Sequence, residues 1–164
     1  MTRKDEAALV LREVVDVLAA AGVRFWLAGD LARAGRRGGA ADLPETLAFH
    51  VLRSQEQAVW DAVDRLAGHG FVRVPWTGGE YRVVLRLSRI DVELYFLERE
   101  GPRLVFRDGD AGHRRHEVAA RVFGERRAVL HGVPVGLPDD DYADVLAVVP
   151  WMAGEGRGSG VRLS

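Results

Sequence analysis

RFWLAGDLARAGRRGGAADLPETLAFHVLR, residues 24–53, decides how this chain folds. Residues 24–28 are apolar enough for a buried strand. Gly29 and Asp30 turn the chain into a short helix over 31–34, and a Gly/Arg-rich loop over 35–44 follows. Residues 46–52 then alternate as a strand does. Strand side chains point to opposite faces with a period of two, so Leu47, Phe49 and Val51 share one face. Thr46, Ala48 and His50 share the other.

Upstream, Leu9, Val10, Val14, Leu18 and Ala21 recur at spacings of three and four, which predicts an amphipathic helix over 4–21. Asp5 and Glu6 lie in its first turn, where acids suit the helix dipole, and Gly22 stops it. Downstream, Ser54 and Gln57 have the spacing of a capping box and predict a helix over 55–67, with Val59, Trp60, Val63 and Leu66 inward. A strand over 71–74, a turn through Pro75, Trp76 and Gly78, and strands over 81–87 and 90–97 come next. The last two are close enough to form a hairpin. Val92, Leu94 and Phe96 then face the core, and Asp91, Glu93 and Tyr95 face the other way.

Beyond residue 98 the pattern predicts a short strand over 104–106 and a turn over 108–112. Residues 113–123 read as helix or irregular chain. A second hairpin is predicted over 128–130 and 133–135, turning at His131-Gly132. Asp139 caps a helix over 140–148. The expectation is one domain over 1–150 and a polar, Gly-rich flexible tail over 151–164. The class is α+β: a mixed sheet flanked by helices, with a C-terminal hairpin and short helix.

The chain has 164 residues, 48% hydrophobic and 29% charged, which suits a globular domain. Lys and Arg number 23 against 24 Asp and Glu, so no net charge draws it toward nucleic acid. Lys occurs once, at Lys4, and Arg otherwise carries the positive charge, which reads as the coding bias of a GC-rich genome. Without cysteine, disulfides, thiolate nucleophiles and Cys-bound zinc are excluded. Acidic residues interrupt the first apolar stretch, unlike a signal peptide, and no apolar run has the length of a membrane span. A cytoplasmic protein with no nucleic-acid and no membrane partner is expected. The oligomeric state is not legible.

Phe25-Trp26-Leu27-Ala28-Gly29, Gly70-Phe71 and Ile90-Asp91-Val92, in this order of elements, resemble the small nucleotidyltransferases related to aminoglycoside and lincosamide resistance enzymes. The resemblance covers roughly residues 11–139. It implies a nucleotidyltransferase-like fold. In such enzymes two carboxylates in a D-x-D on the second strand, and a third from a neighbouring strand, hold Mg²⁺ against a nucleoside triphosphate. Carried over to this chain, the D-x-D positions fall on Thr46 and Ala48, which cannot replace carboxylates at a hard-cation site. The third falls on Asp91. The family's Gly-Gly turn becomes Gly29-Asp30, where Asp30 sets a negative charge at the phosphate position and can itself serve as N-cap.

The cleft implied by this likeness holds His50, Asp91 and Glu93 as catalytic candidates. His50 is expected to pair with Asp91 or Glu93 as a general acid/base. Asp30, Thr46, Trp76, Arg82, Arg86 and Tyr95 are the candidate ligand-binding residues, and neither a metal nor a cofactor is expected. An equally weighted reading makes these residues a solvated sheet face of Arg–carboxylate ion pairs. His113 and His116 stand three apart without a third ligand near in sequence, so they read as a solvated loop. The functional expectation is a degenerate nucleotidyltransferase-fold protein. Its cleft is repurposed for a small organic molecule and metal-free acid/base chemistry, in a setting such as natural-product metabolism. The alternatives are a Mg-dependent nucleotidyltransferase acting on a small-molecule hydroxyl, and a non-catalytic binding or regulatory module.

Overall fold

Thr2 starts the first helix. In the computed structural model, which describes residues 2–75, 81–108 and 114–139, its side chain accepts from the Asp5 amide while the Asp5 carboxylate accepts from the Thr2 amide and hydroxyl. Two orphan amides of helix α1 (Arg3–Ala20) are thereby satisfied. The buried stripe of α1 is Ala7, Val10, Leu11, Val14, Val15, Val17 and Leu18. Leu9, expected inside, is 53% exposed.

Strand β1 (Phe25–Leu27) leads into α2 (Gly29–Arg37), which is longer than the expected 31–34. Gly29 takes φ +53, a left-handed conformation that glycine adopts without the Cβ penalty. Its N-cap is Ala28, not Asp30; Asp30 sits in the first turn and pairs with Arg33. Gly35 reads as a break in sequence but is a packing residue. A Cβ there would lie 2.7 Å from both Leu27 Cδ1 and Leu137 Cδ2.

Strand β2 (Thr46–Leu52) has the predicted bounds. The expected capping box at Ser54 does not form. Ser54 lies in a 3-10 turn, Arg53–Gln55, before α3 (Glu56–Gly68). Gln57 donates to Asp61 instead, and the Gln55 side chain bridges the Gly22 carbonyl and the Arg24 amide. Strands β3 (Val72–Arg73), β4 (Arg82–Leu87), β5 (Ile90–Glu100) and β6 (Arg103–Asp108) follow. Residues 114–119, expected to be helix or irregular, form strand β7 (Arg114–Ala119). A 3-10 turn (Ala120–Val122) leads to the predicted second hairpin, β8 (Arg127–Leu130) and β9 (Val133–Gly136). The expectations for Trp76, the helix over 140–148 and the tail over 151–164 fall outside the described residues.

The main sheet runs β1-β2-β5-β4-β3, and only the β2–β5 pairing along it is parallel. The last residues of β5 leave β4 and pair with β6, which pairs with β7. This mixed sheet with its helices is the α+β architecture expected.

The two faces are packed differently. Leu47, Phe49, Val51, Val92, Leu94 and Phe96 join the apolar sides of α1, α2 and α3 and the β8–β9 hairpin in one core. Burying each large side chain there contributes about 1.5–3 kcal/mol. Among the described residues, a second cluster of Trp26, Leu97, Leu104, Phe106, Val122 and Phe123 covers only part of the other face. The remainder of that face carries the candidate cleft residues. Among the described residues, no helix is long and apolar enough to cross a membrane.

Candidate ligand-binding site

Strand pairing sets the cleft out in rungs across β2, β5 and β4. Thr46 lies beside Asp91 and Asp91 beside Arg86. Ala48 lies beside Glu93, and Glu93 beside Val84. His50 lies beside Tyr95, and Tyr95 beside Arg82. The period-two reading therefore places Thr46, Ala48, His50, Asp91, Glu93, Tyr95, Arg82 and Arg86 on one face, as expected from strand alternation.

Two polar units occupy it. Arg86 donates to both oxygens of Asp91, Nε to Oδ1 at 2.6 Å and Nη2 to Oδ2 at 3.2 Å. Deeper in, Arg82 Nη1 donates to the Tyr95 hydroxyl (2.7 Å) and to Glu93 Oε1 (3.2 Å), and the Tyr95 hydroxyl donates to the same Oε1 (2.6 Å). The Arg82 and Glu93 side chains are only 14% and 19% exposed. Burial raises the Tyr95 pKa, and the adjacent Glu93 carboxylate raises it further, so Tyr95 stays a phenol at any ordinary pH. Burial opposes the charge on Arg82, but Tyr95 and Glu93 outweigh it and hold the guanidinium protonated.

His50 does not fill its expected role. Its carboxylate partners were to be Asp91 or Glu93, which are instead engaged by Arg86 and by Arg82 with Tyr95. His50 is 1% exposed, because β6 and the segment after β7 fold over this end of the face. Its ring lies edge-on to Phe106 (4.6 Å) and Phe123 (5.2 Å) and 6.1 Å from Tyr95. Burial, reinforced by His116, pushes its pKa down to about 3, against an opposing pull from Asp108. Burial thus holds the imidazole neutral, and the acid/base pair expected with Asp91 or Glu93 does not form.

The cover over His50 contains the polar cluster that the sequence reading missed. His116, expected in a solvated loop, is 3% exposed on β7 and stacks on Phe106 at 4.7 Å. Asp108 Oδ1 meets His116 Nε2 at 3.0 Å and accepts from Arg114 Nε at 2.9 Å. Burial disfavours the Asp108 anion, but His116 and Arg114 outweigh it and hold its carboxyl below the usual range. The register explains the cluster: Phe106 faces His116 and Asp108 faces Arg114 across β6–β7.

Among the described residues, the positions that the resemblance assigns to a Mg²⁺ pair carry a single carboxylate, Asp91. A hard divalent cation needs several oxygen ligands, with carboxylates among them. Thr46 and Ala48 stand where the resemblance puts the D-x-D, and Arg86 clamps Asp91. No group of three potential ligands gathers among the described residues. Asp30, the candidate at the phosphate end, is exposed in the first turn of α2.

This frame is a nucleotidyltransferase-like fold. The chain is similar to the solution structure of the antibiotic-resistance factor ANT(2'')-Ia, with a TM-score of 0.68 and 10% identity over 94% of this chain and 75% of that one. It is also similar to the crystal structure of ANT(2'')-Ia in complex with adenylyl-2''-tobramycin, with a TM-score of 0.66 and 10% identity over 91% and 78%. Lincomycin-bound LnuA, a lincosamide antibiotic adenylyltransferase, matches with a TM-score of 0.61 and 10% identity over 85% and 84%. At that identity the likeness is one of fold. No protein family and no curated protein matches the sequence.

Proposed function

We propose that this chain is a nucleotidyltransferase-fold protein that binds a small organic molecule on the open part of its cleft, without metal-dependent nucleotidyl transfer. The observation that carries the reading is the rung of Thr46 and Ala48 against Arg86–Asp91 and Arg82–Tyr95–Glu93. Short, uncharged side chains stand where a carboxylate pair would bind metal, and the carboxylates that remain are matched to guanidinium groups. Such a floor recognises polar groups of one ligand through charge-assisted hydrogen bonds. Proton transfer on that ligand falls to Glu93 with its Tyr95 donor and not to His50. The small molecules bound by structural neighbours are consistent with a small-molecule ligand.

The test is a screen of small organic molecules read by the amide resonances of Thr46, Ala48, Asp91 and Glu93. A ligand that shifts these amides and binds at least about tenfold more weakly to Glu93→Gln, a loss of about 1.4 kcal/mol, agrees with the proposal. Ligands that bind with these amides unmoved, or that bind Glu93→Gln unchanged, contradict it.

A further inference from the structure

We infer that the ligand class of this face is a small zwitterion, with an amine and a carboxylate on one short carbon chain. The inference rests on the proposed ligand-binding role of the cleft and deepens it. Among the described residues, the two hydrogen bonds to Glu93 both arrive at Oε1, which leaves Oε2 to take an ammonium from the ligand. Arg86 uses Nε and Nη2 on Asp91 and is 52% exposed, which leaves its Nη1 to meet a carboxylate. Thr46, in register with Asp91, adds a hydroxyl at the same end. Asp91 and Glu93 are two residues apart on one face of β5, about 6.5–7 Å along the strand. That is the scale of an amine and a carboxylate separated by a few carbons.

Charge balance selects the class. Arg82 and Arg86 offset Asp91 and Glu93, so a simple cation or simple anion would match one half of the patch and oppose the other. A polyphosphate would meet Asp91 and Glu93 head-on. A zwitterion laid along β5 finds an opposite charge at each end. Its two contacts are both charge-assisted, and they reinforce each other because one chain carries both groups.

The experiment uses the full chain and three matched probes: 3-aminopropanoate, which carries both groups, and propylamine and propionate, which carry one each. Each is titrated against the amides of Thr46, Ala48, Asp91 and Glu93. The zwitterion is expected to bind at least about tenfold more tightly than either half. Arg86→Gln should lower its affinity to that of propylamine, and Glu93→Gln to that of propionate, with the circular dichroism of both variants unchanged. Equal binding of the zwitterion and one of its halves overturns the zwitterion assignment and leaves the cleft as a binding site. Silence of all three probes, where another screened molecule moves the same amides, does the same. Silence of every molecule at these amides removes the binding role as well.

Discussion

Acidification from pH 6.5 towards 3 is expected to cost several kcal/mol of folding stability through His50. The unfolded imidazole takes a proton near pH 6.5, while the folded one resists until about pH 3. Within that window the unfolded state binds more protons than the native state, so stability falls as pH falls, by up to about 1.4 kcal/mol per pH unit. The stability His50 confers is fully present above pH 6.5. Asp108 acts in the same direction at lower pH: its folded carboxyl is held down by His116 and Arg114 against the effect of burial, so its contribution is lost as it protonates. The titratable groups around His50 include His116, Asp108 and Tyr95. Urea denaturation across this range, on the protein and on His50→Gln and His50→Phe, reads the effect. The variants should show a flatter stability profile between pH 6.5 and 4. A profile as steep as that of the unsubstituted protein would mean that His50 is not the buried neutral group described.

Arg82→Met is expected to destabilise the fold by about 3 kcal/mol. Removing one member of a mostly buried ion pair leaves the other charge desolvated without its partner, and among the described residues Glu93 would keep only the Tyr95 hydroxyl. Glu93→Gln in the Arg82→Met background should recover a large part of that loss, because the stranded charge goes with it. A double-mutant cycle from denaturation midpoints isolates the coupling. Additive losses, with no recovery in the double variant, would show that Arg82 acts by its own packing and not through Glu93. The Arg86–Asp91 pair is more exposed, so Arg86→Gln should change stability little, because water screens the pair.

How much of this was legible in the sequence follows from which residues carry each signal. The period-two alternation of 46–52 and 90–97 gave both strands and the facing of Thr46, Ala48, His50, Asp91, Glu93 and Tyr95, since alternation is a local property. It does not say what covers a face. His50 shares its face with Thr46 and Ala48, yet Phe106 and Phe123, more than fifty residues downstream, bury it. Strand β7 was hidden because its buried position is filled by His116, not an aliphatic side chain, and RRHEVA carries no apolar alternation. The box at Thr2 was missed because its third residue is Asp5 and not Glu or Gln. The one at Ser54 was over-read because a 3-10 turn occupies the position that an N-cap would need. The likeness in fold was carried by three short motifs. The Arg pairing of Asp91 and Glu93 needed the β4–β5 register, which the hairpin prediction made available.

In the proposed function the frame is kept while the metal-dependent chemistry is not. Titration of the full chain with ATP and Mg²⁺, read by the amides of Gly29, Thr46, Ala48 and Asp91, tests it most directly. The account predicts no saturable, Mg²⁺-dependent change at these amides and no release of pyrophosphate in the presence of small-molecule hydroxyl acceptors. Saturable binding that requires Mg²⁺ and shifts Thr46 and Asp91 together, with pyrophosphate released, would contradict it.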